Sequence, residues 1–264
     1  MILEKTVELV YQIFNYHKIL PPRVNQIVIG QRYSGVEVFP FAYDPMVGLA
    51  YTFPGFKSGF DKNIIKTKDL NELLSWSYEK PSIKKTLGIA TLNAVSQHIL
   101  QIKNPYHKIK GDISDHLNIN KDTKITFIGS IRPMIKTFNH TTSNIIVVDH
   151  DFGKLSGFEH LTILDDVNQL EPEELSTDIL FCTGSSLIND TFEGILDIYR
   201  HKAGKIILIG PTSSMLPDLF FDNGVNMVSG MKIFDSSAAL RVIGEGKGTR
   251  VFKQYGKKYN LINE

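Results

Sequence analysis

Apolar residues in the first third of the chain follow a helical spacing and then a strand-like one. From Val7 to Phe14 they recur on one helical face, and Pro21 and Pro22 end that pattern. The segment QIVIGQRYSGVEVF then predicts two strands around a glycine-containing turn at 32–35, and MVGLAYTF predicts a third. Because the connections are too short for crossover helices, we expect an antiparallel sheet.

Two helix-length segments follow these strands. TKDLNELLSWSY and IKKTLGIATLNAVSQHILQI both show the apolar spacing of a helix. In the second, a stripe that can lie on the sheet consists of Leu92, Val95, Ile99 and Ile102. The sequence therefore predicts a small α+β domain over residues 1–110.

The pattern changes after the polar stretch GDISDHLNINKDT, where short apolar runs begin to alternate with helix-length segments. The runs are apolar almost throughout, as strands covered on both faces must be, and so they predict an α/β domain with a mostly parallel sheet over residues 120–264. They are KITFIG, NIIVVDHD, DILFCTG, KIILIGPTS and VNMVSG, with HLTIL as a shorter candidate.

Small polar residues stand at the ends of four of these predicted strands. They are the segments 128–130, 183–186 and 210–214, together with Asp149. In an open parallel sheet, ligands bind outside the carboxyl ends of the strands, so we expect these four ends to converge on a site. Gly184 and Gly210 would let the backbone approach a ligand closely.

The residues after the third strand end also carry a helix-start signal. Asp190 and Glu193 have the spacing of a capping box, which predicts a helix that starts near Asn189 and points its unpaired amides at the same region. The alternative is structural, because Ser, Thr, Asn and Gly also satisfy the backbone of ordinary turns.

The usual cofactor and catalytic motifs are missing from the sequence. The dinucleotide fingerprint of spaced glycines is absent, although Asp149 lies 20 residues past Gly129, where a ribose-binding acid would sit. Ser185 and Ser186 lack the frame of a nucleophile elbow. No catalytic set can be assigned from spacing.

Metal-ligand spacing is absent as well. The eight histidines are scattered, and the local cluster DHD at 149–151 is interpreted as a solvated strand end rather than a metal site. Cys182 lies within an apolar strand, which favours a small core residue over a nucleophile.

Composition narrows the class of protein. The 264 residues are 42% apolar and 22% charged, which is typical of a globular chain with a substantial core. A formal charge of +1 gives no general attraction to nucleic acid. The basic residues near the C-terminus are interpreted as a solvated tail, with an anion-binding role as the alternative; they are Lys247, Arg250, Lys253, Lys257 and Lys258.

Cysteine content and segment length bear on the compartment. A single cysteine excludes an internal disulfide framework and fits a reducing environment. No apolar segment reaches the roughly 20 residues needed to span a bilayer, and early charges in MILEKTVELVYQIF argue against a signal peptide. We therefore expect a cytoplasmic protein with neither a membrane nor a nucleic-acid partner.

Two segments of the C-terminal half resemble a known family. FCTGSSLINDTFEGIL and LIGPTSSMLPDLFFDNGVNMVSGMKIFD are similar in order and spacing to the hallmark motifs of the putative heavy-metal chelation family. IVIGQRYSGVEV, VGLAYTF and GIATLNAVS resemble the enolase N-terminal-like domain that accompanies it. The resemblance implies a Rossmann-like second domain and a ligand pocket between the two domains.

The resemblance also implies a set of site residues. The first motif supplies Thr183, Gly184, Ser185, Asn189 and Thr191; the second supplies Gly210, Pro211 and Ser213; the helix motif of the first domain supplies Asn93. With the strand-end residues Gly129 and Asp149, these form the predicted ligand-binding set. The chain departs from the family pattern at Ser186, Thr212 and Ser214, where one small residue replaces another except for the proline that Ser214 replaces.

Three functions remain open from the sequence. The first is binding or processing of a metal or metal-bearing small molecule between the two domains. The second is an enzyme, such as a transferase, that uses a nucleotide-like cofactor at the carboxyl edge of the parallel sheet. The third is a structural or assembly protein. Whichever function holds, the protein could form a homodimer. The cofactor is unassigned, with a metal ion or a metal-chelating small molecule as the candidates.

Overall fold

The N-terminal part forms a three-stranded antiparallel sheet with helices around it. In this computed structural model, which describes residues 1–57, 69–150, 158 and 161–263, the sheet order is β1-β2-β3. The elements are α1 (Ile2–His17), β1 (Arg23–Ile29), β2 (Tyr33–Phe39), β3 (Met46–Tyr51), α2 (Leu70–Ser75) and α3 (Ile83–Ile102). The predicted antiparallel pairing is confirmed.

The turn between β1 and β2 lies earlier than the sequence predicted. Gly30 donates its N–H to the carbonyl of Tyr33, and Ser34 already pairs with Ile29 inside the sheet, so the prediction of a turn at 32–35 is wrong. Gly35 serves packing instead. A Cβ there would lie 2.6 Å from Cδ2 of Leu240, which belongs to a helix of the second half of the chain.

The C-terminal part is built on an eight-stranded sheet of order β4-β11-β10-β9-β8-β5-β6-β7. Its strands are β4 (His107–Ile109), β5 (Ile125–Ile128), β6 (Ile145–Val148), β7 (Thr162–Leu164), β8 (Thr177–Thr183), β9 (Ala203–Ile209), β10 (Met227–Ile233) and β11 (Gly256–Ile262). Its helices are α4 (Arg132–Phe138), α5 (Phe192–Tyr199), α6 (Asp218–Phe221), α7 (Ser236–Gly244) and α8 (Thr249–Phe252).

Pairing from β10 through β7 is parallel throughout, which confirms the predicted mostly parallel sheet, including HLTIL as β7. The two strands beyond β10 in the sheet, β11 and β4, run antiparallel to their neighbours, and neither was predicted. β11 pairs with β10, and β4 pairs with β11. The C-terminal basic residues are interpreted from the sequence as a solvated tail; Lys257 and Lys258 are exposed, in agreement with that interpretation, and they lie on the ordered strand β11.

Helices from both halves of the chain cover the small sheet. Helix α3 packs so closely on β3 that a Cβ at Gly48 would lie 1.9 Å from the carbonyl oxygen of Ala90. On the C-terminal side, Leu240 and Ile243 of α7 join Val47 and Leu49 of β3 in one buried cluster. The small sheet is thus shared packing surface for both halves.

A single large core joins the two halves along one face of the eight-stranded sheet. It includes Val10 of α1 and Leu92 of α3 together with Leu180 of β8 and Leu196 of α5. The opposite face of the sheet carries a second buried cluster, in which the rings of Phe127 and Phe181 stack with their centroids 4.9 Å apart. No helix among the described residues is long and apolar enough to cross a bilayer.

The predicted limits of the two domains, at residues 110 and 120, stay a prediction. Strand β4 ends at Ile109 and already belongs to the larger sheet, through its pairing with β11.

Candidate functional site

The large sheet has a topological switch point at its centre. The parallel part of the sheet begins at β5; the chain places β6 and β7 on one side of it and then crosses back to place β8, β9 and β10 on the other. In open α/β sheets ligands bind at such a point, outside the carboxyl ends of the strands, and here that region, called the crevice below, lies at the ends of β5 and β8. These ends are Ile128 and Thr183, so the crevice lies among the predicted site residues.

Gly129 and Thr183 bring the two strand ends into contact. Gly129 has a φ of 93°, and a Cβ there would lie 2.6 Å from Cγ2 of Thr183. Both residues are half-buried. Only glycine combines this backbone conformation with this closeness, so the geometry explains why the first predicted strand end is a glycine.

Asp149 closes the crevice on the β6 side. Its carboxylate accepts a hydrogen bond from the backbone N–H of Ser130, the residue after Gly129. Its own N–H is bonded to the carbonyl of Leu164 in β7. The next residue, His150, is exposed, and Asp151 of the DHD cluster lies outside the described residues.

The first motif folds into a short 3-10 helix, Gly184–Leu187, capped by Thr183. The Thr183 hydroxyl oxygen accepts from the N–H of Ser185 at 3.4 Å and from its hydroxyl at 3.2 Å. Ser186 turns the other way and donates its hydroxyl to the Thr183 carbonyl at 2.6 Å. Thr183 and Ser185 thus form one hydroxyl pair beside Gly129.

Cys182 is a core residue, as predicted. Its side chain is fully buried at the end of β8, with Sγ 3.3 Å from the hydroxyl oxygen of Ser186. Burial raises the pKa of the thiol to about 12, which keeps it protonated and unreactive as a nucleophile at neutral pH.

The predicted capping box is wrong. Helix α5 begins at Phe192 rather than near Asn189, and its N-cap residue Thr191 makes no side-chain cap bond. Asp190 has a φ of 62° and forms an ion pair with Lys85, while Glu193 accepts the N–H of Ile2 at 2.7 Å. Long-range partners have taken both carboxylates, which spacing along the chain could not reveal.

Asn189 and Thr191 interact with each other at the surface. The Asn189 side-chain oxygen accepts from the Thr191 hydroxyl at 2.8 Å, and both residues are exposed. They lie at the outer end of the first motif, beyond the buried residues Leu187 and Ile188.

The second motif lies directly against the first. Gly210 has a φ of 125°, and the Ser213 hydroxyl donates to its carbonyl at 2.8 Å. A Cβ on Gly184 would lie 2.9 Å from the backbone nitrogen of Ser213. Pro211 and Ser213 are buried, whereas Gly210 is half-buried.

Asn93 ties the small sheet to the second motif. Its amide nitrogen donates to the carbonyls of Leu49 at 2.8 Å and Thr212 at 2.9 Å, with a longer contact to Pro211. The N–H of Tyr51 donates to the Thr212 hydroxyl at 3.0 Å. Asn93 is fully buried and acts as a clamp between backbone segments.

A second buried amide completes this clamp and was not predicted. One helical turn after Asn93, Gln97 donates to the Ser214 carbonyl at 2.8 Å and to the Tyr259 hydroxyl at 2.7 Å. The signal in the sequence was two amides four residues apart on an otherwise apolar helix, which places both on one face.

The donor chemistry of the crevice does not suit a bare heavy-metal ion. No group of three or more His, Cys, Asp or Glu side chains comes together among the residues that the structure describes. The groups present are hydroxyls, backbone amides and one carboxylate, whereas soft metals prefer thiolate and imidazole.

Comparison with known proteins gives the family. Two family models, both described as "Putative heavy-metal chelation", match residues 16–96 and 112–262, the second being the DUF364 model. An uncharacterised protein of Methanocaldococcus jannaschii is 30% identical over 224 residues, covering 81% of each chain.

Two crystal structures of DUF364 proteins of unknown function share the fold. The protein from Pyrococcus horikoshii has a TM-score of 0.80 at 22% identity, over the whole of both chains. The protein from Desulfitobacterium hafniense has a TM-score of 0.73 at 17% identity, over 98% of this chain and 99% of its own. Sequence and fold together place this chain in the DUF364 family, the family described as putative heavy-metal chelation.

Proposed function

We propose that this protein binds a metal-bearing small molecule in the crevice at the carboxyl ends of β5 and β8, and that it holds the organic part of that molecule. The observation that carries the proposal is the contact between Gly129 and Thr183 at the topological switch point. Such points are where open α/β sheets bind ligands.

The polar groups around the contact suit an organic ligand. Thr183 and Ser185 offer hydroxyls, and the half-buried carboxylate of Asp149 holds the N–H of Ser130, the residue after Gly129. Asn189 uses its side-chain oxygen on Thr191, while its amide nitrogen makes no hydrogen bond to the described residues. That nitrogen is free to donate to a ligand at the rim.

The family description supports a role for a metal, and the donor set says how the metal would be carried. Hydroxyl and amide groups compete poorly for soft metals but bind polar organic groups well. We therefore treat the metal as cargo held within a chelating molecule, with the protein in contact with the chelator.

Native mass spectrometry of protein purified without added metal tests the proposal, with elemental analysis of the same sample. We expect a retained organic molecule and a metal in equal amounts. The variant Thr183→Val should lose both, because it removes the hydroxyl at the strand contact while keeping the side-chain shape. Thr162→Val, at an exposed position on β7, is the matched control and should retain both.

Two results would contradict the proposal. One is stoichiometric binding of free zinc or nickel ions that is lost on replacing Asp149 or His150, which would show a bare-ion site. The other is a retained phosphate-bearing molecule without metal, which would favour the enzyme alternative, since nucleotide cofactors also occupy switch points.

A further inference from the structure

A small cavity lies between the N-terminal helices on one side and, on the other, the end of the first motif with the start of α5. Its volume is about 170 Å³, and its walls include Ile2, Tyr78, Lys85, Leu187 and Glu193. None of the crevice residues Gly129, Asp149, Thr183, Ser185 or Gly210 lines it. The cavity is therefore separate from the crevice, and what binds there does not depend on the proposed function.

The unusual feature of this cavity is a buried lysine. The side chain of Lys85 is 1% exposed, and its ammonium forms an ion pair with Asp190, whose side chain is 47% exposed. An ammonium group carries three N–H donors. Asp190 is its acceptor among the described residues, which leaves two of the three N–H donors of this buried ammonium without an acceptor there, and Lys85 lines the cavity.

Buried cations with unused donors are costly, and a ligand that accepts hydrogen bonds would relieve that cost. The start of α1 also lines the cavity, and its amides carry partial positive charge. Glu193 already accepts the N–H of Ile2, so its carboxylate is engaged with that helix end. The N–H groups in this cavity that still lack an acceptor are therefore those of the Lys85 ammonium.

Size and wall chemistry define the class of ligand. Pockets for drug-sized molecules start at about 300 Å³, so this cavity takes a molecule of only a few heavy atoms. Ile2, Leu3, Leu187 and Phe192 supply apolar walls. Two carboxylates nearby, Asp190 and Glu193, disfavour a doubly charged anion.

We propose that this cavity is a binding site for a short-chain monocarboxylate, whose carboxylate bonds to Lys85 and whose aliphatic tail lies against the apolar walls. Asp190 competes with the ligand for the ammonium. Asp190 directly follows Asn189 of the first motif. A ligand that displaces Asp190 from Lys85 would therefore also change the conformation of that motif.

Butyrate is the probe, observed by saturation-transfer NMR and by titration calorimetry on the full chain, at constant ionic strength against sodium chloride. We expect butyrate to bind the wild type and to lose at least about tenfold in affinity in Lys85→Met. Lys80→Met, which removes an exposed lysine nearby in sequence, should bind like the wild type.

The decisive variant is Asp190→Gly. Glycine adopts the positive φ of this position without strain, so the change removes the competing carboxylate and little else. We expect butyrate to bind Asp190→Gly about tenfold more tightly than it binds the wild type. Butyrate should also raise the unfolding temperature of Asp190→Gly by more than it raises that of the wild type, because the bound carboxylate replaces the counter-charge that Asp190 supplied.

Three outcomes would overturn the proposal. They are no butyrate binding in either the wild type or Asp190→Gly, unchanged binding in Lys85→Met, and preferential binding of butylammonium. The first outcome would leave Lys85 and Asp190 as a structural ion pair with water in the cavity. None of them affects the crevice, whose test uses Thr183→Val.

Discussion

Two glycines at the ends of β5 and β9 hold backbone conformations that other residues adopt with strain. Gly129 and Gly210 have φ angles of 93° and 125°. At Gly129 the surrounding space is closed as well, because Thr183 occupies the place of a Cβ, whereas at Gly210 the nearest atom would be 4.0 Å away. The two positions therefore respond differently to substitution.

Replacing Gly129 with alanine should destabilise the protein by about 1–3 kcal/mol, the usual cost of a strained residue, and should reduce ligand retention in the crevice. Denaturant unfolding of the variant measures the first effect. Gly194→Ala is the control, because Gly194 lies in α5 and a methyl group added there would have no neighbouring atom within 4 Å, so it should gain stability from helix propensity. Equal stability of Gly129→Ala and the wild type would contradict the strain at the crevice.

A buried histidine makes stability depend on pH. Burial lowers the pKa of His98 below its ordinary value of 6.5, and the ring packs edge-on against Tyr43 with centroids 5.6 Å apart. In the unfolded chain the ring takes up a proton more readily than in the folded one. The stability associated with neutral His98 is therefore present above about pH 6.5 and is lost as the pH falls below that value.

His98→Leu should flatten this loss. Unfolding free energies of variant and wild type, measured between pH 8 and pH 5, should diverge below pH 6.5, with the variant losing less on acidification. Parallel curves over that range would show that His98 is hydrated or paired in the folded protein.

At the scale of elements, helix α3 carries the clamp formed by Asn93 and Gln97. Its amides Asn93 and Gln97 satisfy backbone carbonyls of the second motif, while Gly48 lets β3 lie close to it. These bonds hold the turn after β9 in a fixed position relative to the small sheet. The second motif is thus shaped from the other half of the chain.

Asn93→Ala should cost about 2–4 kcal/mol, because it leaves the buried carbonyls of Leu49 and Thr212 each without this donor. Ser96→Ala is a matched control on the same helix. Ser96 is equally buried, but its hydroxyl has no hydrogen-bond partner among the described residues, so its removal should be neutral or stabilising. Thermal and urea unfolding give both values. A cost for Ser96→Ala equal to that for Asn93→Ala would show that helix packing, not the clamp, sets stability.

Local patterns were enough to predict most of the elements. Helix α3 and strands β5, β6, β8 and β9 follow from apolar runs whose length and period belong to one type of element. Strands β4 and β11 were missed for a physical reason. They are antiparallel and partly exposed, so their sequences HKI and GKKYNLI are too polar to show the pattern of a strand buried on both faces.

The meeting of neighbouring strand ends could be predicted from the sequence, but the long-range contacts around them could not. Strand-end residues such as Gly129 and Thr183 could be found because parallel strands end at one edge. The partners of Asp190 and Glu193 could not, since Lys85 and Ile2 lie far away in sequence. Asn93 was assigned through family resemblance, and the structure shows it bonded to backbone carbonyls.

At the scale of the whole molecule, the two halves share their hydrophobic interior. One buried cluster contains residues of α1 and α3 together with residues of β8 and α5, and α7 covers the small sheet from the other half. Removing either half would expose large apolar surfaces of the other. The cavity beside Lys85 depends on this joint packing, because its walls come from both halves.

The molecule should therefore unfold in a single cooperative transition. Trp76, the one tryptophan of the chain, is buried in the N-terminal half, so its fluorescence reports on that half. Far-UV circular dichroism reports on both halves. Because the halves share a core, we expect the two signals to give the same urea midpoint, and the most protected amides of α3 and β8 to exchange with the same free energy. A tryptophan transition at clearly lower urea, with β8 amides still protected, would show instead that the small sheet and its helices unfold as an independent domain and that the shared cluster contributes little to cooperativity.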